Sequence, residues 1–248
     1  MILSFTICAA AIALELGTVL LLLRKNLWRE YPYFLIYVGW LLTANSTILV
    51  TDFYFRSIYP AVYWNIDSID IVLRLLVVWE VFRQTFPKNS GLYRSLSKGL
   101  GIIALALLIF ACASFWDYEN YASLRSIHLA LDRSFGFVQA LMILGTLVMA
   151  RYYGLRCGRN VRGIALGFGA WVSVSTANNA MADLTASFLP YFYRLRPLIF
   201  VFMLVVWIWA LWVYEPNPPI MESEAAELDR WTEDWNRTIS AARTMIRP

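Results

Sequence analysis

Apolar residues gather in seven long stretches, 3–23, 33–53, 62–82, 100–116, 127–149, 164–186 and 198–214, with polar residues in the gaps. Each stretch is close to the roughly 20 residues a helix needs to cross a hydrocarbon core about 30 Å thick. That length, repeated seven times, predicts an all-α membrane protein built as a seven-transmembrane-helix bundle. Helix punctuation agrees. Pro32 and Pro60 fall where spans two and three begin, where proline's missing N–H costs nothing. Pro87 and Asn89-Ser90-Gly91 close span three, Gly154 follows span five, and Pro216, Pro218 and Pro219 end span seven. Tyr31, Tyr33, Tyr54, Tyr59, Tyr118, Tyr121, Tyr191 and Tyr193 lie at the predicted interfaces, as an aromatic belt would.

Composition places the chain in the same class: 60% of residues are hydrophobic and 15% charged. The positions of the charges add a direction. Arg24, Lys25 and Arg29 follow span one, Arg83, Lys88, Arg94 and Lys98 follow span three, and Arg151, Arg156, Arg159 and Arg162 follow span five. All three lysines belong to this set. The alternate gaps hold only scattered arginines, Arg56, Arg125, Arg194 and Arg196. Positive charge stays on the cytoplasmic side, so the N-terminus is expected outside and the C-terminus in the cytoplasm. Span one lacks a basic leader, carries Glu15 and meets Arg24-Lys25 instead of a cleavage site, and reads as a retained helix.

Two regions follow, a transmembrane domain over 1–216 and a cytoplasmic tail over 217–248. In the tail, Leu228, Trp231, Trp235, Ile239, Ala242 and Ile246 recur at three- and four-residue steps, predicting an amphipathic helix. Glu222, Glu224, Glu227 and Asp229 open it, and Arg243 and Arg247 close it, which complements the helix dipole. Anionic headgroups would repel that acidic start. The stripe is expected to pack on protein, either the loop bearing Arg156, Arg159 and Arg162 or a neighbouring subunit.

Polar groups inside the spans bear on function, because charge at membrane depth is costly and faces a bundle interior or a wet cavity. Asp67, Asp70 and Arg74 share one stripe of span three; His128, Asp132, Phe135 and Gln139 one of span five; Thr176, Asn179 and Asp183 one of span six. Facing one another, these stripes would form a cluster in the outer half of the membrane, with Arg133, Asn178, Glu15 and Asn45 as further candidates. Spans four and seven are expected to add no charge to it. Two readings stand. Arg74 with Asp70, and Arg133 with Asp132 or Asp183, would be interhelical glue. Alternatively, the excess of acids over arginines would mark a functional cavity, since a buried unpaired carboxylate must be protonated, hydrated or matched by a cation. Glu80 is read as a local partner of Arg83. Trp64 and Trp171 would offer cation–π contacts or simple packing.

Several chemistries are excluded. A retinal Schiff base needs a lysine within a span, and none is there. The single histidine, His128, cannot make a His-Glu-x-x-His zinc site. Gly167-Phe168-Gly169-Ala170 does not supply a rhomboid-like serine, and Asp67-x-x-Asp70 matches only part of the lipid phosphotransferase metal site. The topology resembles that of G-protein-coupled receptors, but the outer cysteine pair and the Asp-Arg-Tyr turn are missing, and architecture alone does not carry function. Cys8, Cys112 and Cys157 are too scattered for a disulfide framework or a metal site. No catalytic residue, cofactor, metal or nucleic-acid partner is expected.

Tyr31-Pro32-Tyr33-Phe34, Tyr63-Trp64 and Glu80-Val81-Phe82-Arg83-Gln84 resemble a group of uncharacterised bacterial seven-helix membrane proteins. The resemblance covers spans two and three and implies a bacterial inner (plasma) membrane, with no activity attached.

The reading that results is a non-enzymatic, multi-pass sensor or receptor-like module. It would bind a small cation, a proton or a cationic ligand through Asp67, Asp70, Arg74, His128, Asp132, Arg133, Asn179 and Asp183. The alternatives are a structural or accessory subunit of a membrane assembly and an ion or proton pathway. Expected partners are the lipid bilayer and a homo-oligomer or other membrane subunits, with Trp209 and Trp212 on one face of span seven, and Trp231 and Trp235 on the tail, as interface residues.

Overall fold

The computed structural model describes residues 2–86, 121–155, 157–184 and 189–215, isolated positions between 91 and 109, and residues 230, 233, 234 and 237; side chains before Thr6 and at 121–131, 182–184 and 189–194 are not described. Among the described residues every regular element is helical. The helices are α1 (Ile2–Arg24), α2 (Pro32–Tyr54), α3 (Tyr59–Thr85), α4 (Tyr121–Tyr152), α5 (Arg159–Leu184) and α6 (Leu189–Trp212), with a 3₁₀ turn, Leu27–Arg29, between α1 and α2. Predicted span four is helical at Gly101, Ile102, Leu105, Ala106 and Ile109, and the rest of it lies outside the described residues. So does most of the tail, including Trp231 and Trp235. Where it is described, Arg237 pairs with Glu233 and Asp234 in exposed contacts of 3.9 Å.

Four described segments are long and apolar enough to cross a membrane: Thr6–Arg24, Pro32–Tyr54, Asp132–Tyr152 and Leu195–Trp212. Neither α3 nor α5 is among them, because their charged and amide side chains dilute the apolar run. They touch each other inside the bundle, where neighbours cover those groups. Pro32 and Pro60 sit in the first turns of α2 and α3, as the sequence predicts. Gly154 takes φ +69 beyond α4, and the Leu155 N–H reaches back to the Ala150 carbonyl at 2.8 Å, an αL helix stop that favours glycine.

The helices close a ring in chain order, with α6 returning to α1. Few residues separate α1 from α2, α2 from α3, α4 from α5 and α5 from α6, and each of these pairs runs antiparallel. By contrast, α3 and α4 run parallel. Arg196 reaches both Asp67 and Asp132, which lie in the first halves of α3 and α4, and the Cys157 thiol, just past the end of α4, lies 4.0 Å from the hydroxyl of Thr85, the last residue of α3. The end of α3 and the start of α4 therefore lie at opposite ends of the bundle.

One end collects the basic residues. There the Lys25 ammonium donates to the Trp212 carbonyl, Arg83 to the Glu30 carbonyl at 2.8 Å, and Arg159 to the Trp209 carbonyl at 3.3 Å. Glu80, only 1% exposed, does more than pair with Arg83 at 2.5 Å. Its carboxylate also accepts from the Tyr33 and Phe34 N–H groups at 2.9 and 3.4 Å. It thereby satisfies free donors at the start of α2 from another helix.

The core is aromatic and tightly closed. Phe34 meets Trp207 edge-on at 4.7 Å, and Tyr37 meets Phe168 at 6.2 Å. Gly163 and Gly167 let α6 lie against α5: a Cβ on Gly163 would fall 2.1 Å from that of Ala210, and one on Gly167 would fall 2.9 Å from the Trp207 indole nitrogen. This is the small-x-x-x-small device of packed membrane helices. Trp207 is fully buried, whereas Trp209 and Trp212 are 63% and 65% exposed, the division of faces the sequence predicts.

Candidate functional site

Arg74 is the hub. Its guanidinium donates to Asp70, one turn earlier on α3, at 2.7 and 2.6 Å, and to Asp132 on α4. Asp67 stands 4.0 Å away on the same stripe of α3. The face of Trp171, on α5, covers the guanidinium with its ring centre at 4.5 Å. Helical spacing of three and four residues places Asp67, Asp70 and Arg74 together. The parallel course of α3 and α4 then brings Asp132 within reach.

Asp132 is 3% exposed and has further partners. Asn179 of α5 donates to it at 2.8 Å. Gln139, fully buried on the same stripe of α4, donates to the Ile71 carbonyl at 3.1 Å. The stripes of spans three, five and six therefore do face one another at these residues. Arg133 is half-buried beside Asp132. The side chains of His128 and Asp183 lie outside the described residues.

One expectation fails. Span seven does bring charge to the cluster. Arg196 lies 3.7 Å from Asp67 and 3.5 Å from Asp132. The hydropathy pattern starts span seven at 198, after Arg196-Pro197, but α6 begins at Leu189 and carries Pro197 within it. Arg196 is therefore a helix residue facing buried carboxylates and not a loop residue. The usable signal was the excess of acids, which calls for further cations nearby.

Beside the cluster opens a cavity of about 220 Å³, bordered by Asn45, Tyr63, Asp67, Asp70, Arg74 and Arg196. It lies toward the end of the bundle opposite the basic residues. Behind its wall the Asn45 amide donates at 2.5 Å to Glu15, which is fully buried on α1. Two of the further candidates thus meet each other. Several buried polar atoms lack a hydrogen-bond partner among the described residues: the acceptors Asp70 Oδ1, Glu15 Oε2, Gln139 Oε1 and Asn178 Oδ1, and the Tyr37 hydroxyl, the Ser175 hydroxyl and the Trp40 indole N–H. An acceptor buried without a donor costs about 1–3 kcal/mol, more if charged. In the ion pairs that Arg74 and Arg196 make, three aspartates share the two arginines. Among the described residues the cluster holds no nucleophile–base pair and no group of side chains suited to a metal ion. The chain matches no family model, no curated protein and no solved structure.

Proposed function

We propose that the chain is a seven-helix protein of a bacterial inner membrane, N-terminus outside and C-terminus in the cytoplasm, that binds a small cation, a proton or a cationic ligand in an outward-facing cavity and acts as a sensor or receptor-like module. The orientation draws support from the basic residues gathered at one end of the bundle. The seventh crossing draws support from α3 and α4 running parallel, since the end of α3 and the start of α4 lie at opposite ends of the bundle. His128, Arg133 and Asp183 remain part of the proposed site, and the 217–248 tail is proposed to dock on the cytoplasmic side through Trp231 and Trp235.

The observation that carries the binding reading is the surplus of carboxylates over paired arginines at the cavity. Three aspartates, Asp67, Asp70 and Asp132, share two arginines, Arg74 and Arg196, and Asp70 keeps a buried oxygen with no donor among the described residues. A ligand that binds only the folded state at about 100 times its Kd adds roughly 2.7 kcal/mol of stability. Melting temperatures of the purified protein should rise with one of sodium, potassium, methylammonium or choline, or with acid alone. Asp67→Asn should abolish the rise while leaving the unliganded melt near that of the parent. A flat response to every cation and to pH would reject the proposal.

A second reading rests on how densely Arg74 is paired, with Asp70, Asp132 and the Trp171 face. On it the cluster is interhelical glue in a structural or accessory subunit, and exposed Trp209 and Trp212 meet a protomer or partner subunit. It expects Asp67→Asn to cost stability and cations to do nothing.

A further inference from the structure

At the basic end, α1, α6 and the start of α5 enclose a second hollow, of about 410 Å³, floored by Leu14, Val205 and Ile208 and rimmed by Arg159, Trp209 and Trp212. Arg159 lies over the Trp209 ring at 4.2 Å, and Lys25 lies over the Trp212 ring at 5.9 Å. Each cation also caps the end of α6, Arg159 at the Trp209 carbonyl and Lys25 at the Trp212 carbonyl. Capping accounts for one donor of each. It does not account for Arg159 Nε, which is buried without a partner among the described residues.

Nor does it account for the charge. Among the described residues no carboxylate forms an ion pair with Lys25 or Arg159. Arg159 opens α5, whose first turn holds no acid. A helix N-terminus is the positive end of the dipole and favours anions, and here Arg159 and Arg162 occupy its first turn. Both cations thus stand at this end without a paired carboxylate among the described residues, and a headgroup phosphate would supply that negative charge.

We propose that this hollow binds an anionic phospholipid, with Lys25 and Arg159 holding the headgroup phosphate and the apolar floor taking the upper acyl chains. The occupant is a lipid and not a free anion, because the floor belongs to α1 and α6, both apolar enough to lie in a membrane. The rim indoles, more than half exposed, suit the headgroup boundary. The leaflet, though not the site, rests on the orientation proposed above.

The test is native mass spectrometry of the full chain in detergent, with phosphatidylglycerol and phosphatidylcholine of matched chains. Two cations at one rim should give a preference for phosphatidylglycerol of up to about thirtyfold. Lys25→Gln with Arg159→Gln should bring it near parity. Arg94→Gln with Arg151→Gln, which removes as much charge from the same end, should leave it intact. If the first pair does not fold, the parent still decides. Phosphatidylglycerol brominated on its acyl chains should quench fluorescence that disappears in Trp209→Phe/Trp212→Phe, and no such difference would overturn the proposal. So would a preference that survives Lys25→Gln/Arg159→Gln or is lost equally in the control. Displacement of the lipid by millimolar inorganic phosphate would show a free-anion pocket instead. A preference found only in Trp231→Ala/Trp235→Ala would show that the chain's own acidic tail fills the hollow.

Discussion

Arg74 shows how much one side chain can depend on its partners. It is 2% exposed and tolerable there only because Asp70 and Asp132 neutralise it and Trp171 covers it. Breaking a buried ion pair by removing one member costs about 3–5 kcal/mol, because the other charge is left unmatched, whereas replacing the whole group costs far less. Arg74→Met should therefore lower the melting temperature in detergent more than Arg74→Met combined with Asp70→Leu and Asp132→Leu. Equal losses would contradict the hub. Cys157, in the loop between α4 and α5, gives a pH-dependent test. Burial pushes its thiol above the ordinary value, against weaker opposing pulls from the Thr85 hydroxyl and Arg162. The folded protein thus keeps this proton after the unfolded chain has lost it. The contribution to stability is complete below about pH 8.5 and declines as pH rises past that ordinary value. Maleimide labelling of Cys157 should be much slower at pH 7 than that of a free thiol and should accelerate only in more alkaline buffer. A rate equal to that of free cysteine at pH 7 would contradict it. Glu80 marks the limit of reading at this scale. Its pairing with Arg83 follows from spacing alone, but its bonds to the Tyr33 and Phe34 N–H groups depend on where α2 begins in space.

At the scale of elements, the apolar runs predict most of the helices because twenty consecutive apolar residues outweigh local propensity. The boundaries are less legible. Span seven is cut short at 198 because Arg194, Arg196 and Pro197 look like a turn, although α6 continues through them from Leu189. A proline in a packed helix is tolerated where neighbours compensate its missing bond. The α5–α6 contact was also hidden. Gly163 and Gly167 stand four apart in α5, but nothing in the sequence selects α6 as the helix they admit. Gly163→Leu should separate the pair, since even a Cβ would fall 2.1 Å from that of Ala210. A cost of about 1–3 kcal/mol or more is expected for such overpacking. Circular dichroism melts would measure it, with Gly145→Leu, where a Cβ meets nothing within 4 Å, as the matched control. Equal melts for the two variants would mean that α6 is not held close there.

For the whole molecule, the sequence discloses that polar stripes must meet, because three helices carry them and membrane burial leaves few alternatives. It does not disclose the ring order or the parallel pairing of α3 and α4, since both depend on tertiary packing. The site reads accordingly: Asp67, Asp70, Arg74, Asp132 and Asn179 come together as helical spacing predicts, and Arg196 joins from a helix whose start was misplaced. The central claim is a cation-binding cavity that opens on the side opposite the basic end. The most direct measurement places a reporter thiol at Ile66, which lines that cavity, in a chain whose native cysteines are replaced by alanine. A membrane-impermeant maleimide added outside intact cells should label Ile66→Cys, and the cation that raises the melting temperature should slow the labelling. Labelling only after the cytoplasmic face is exposed, or labelling that no cation slows, would contradict the account.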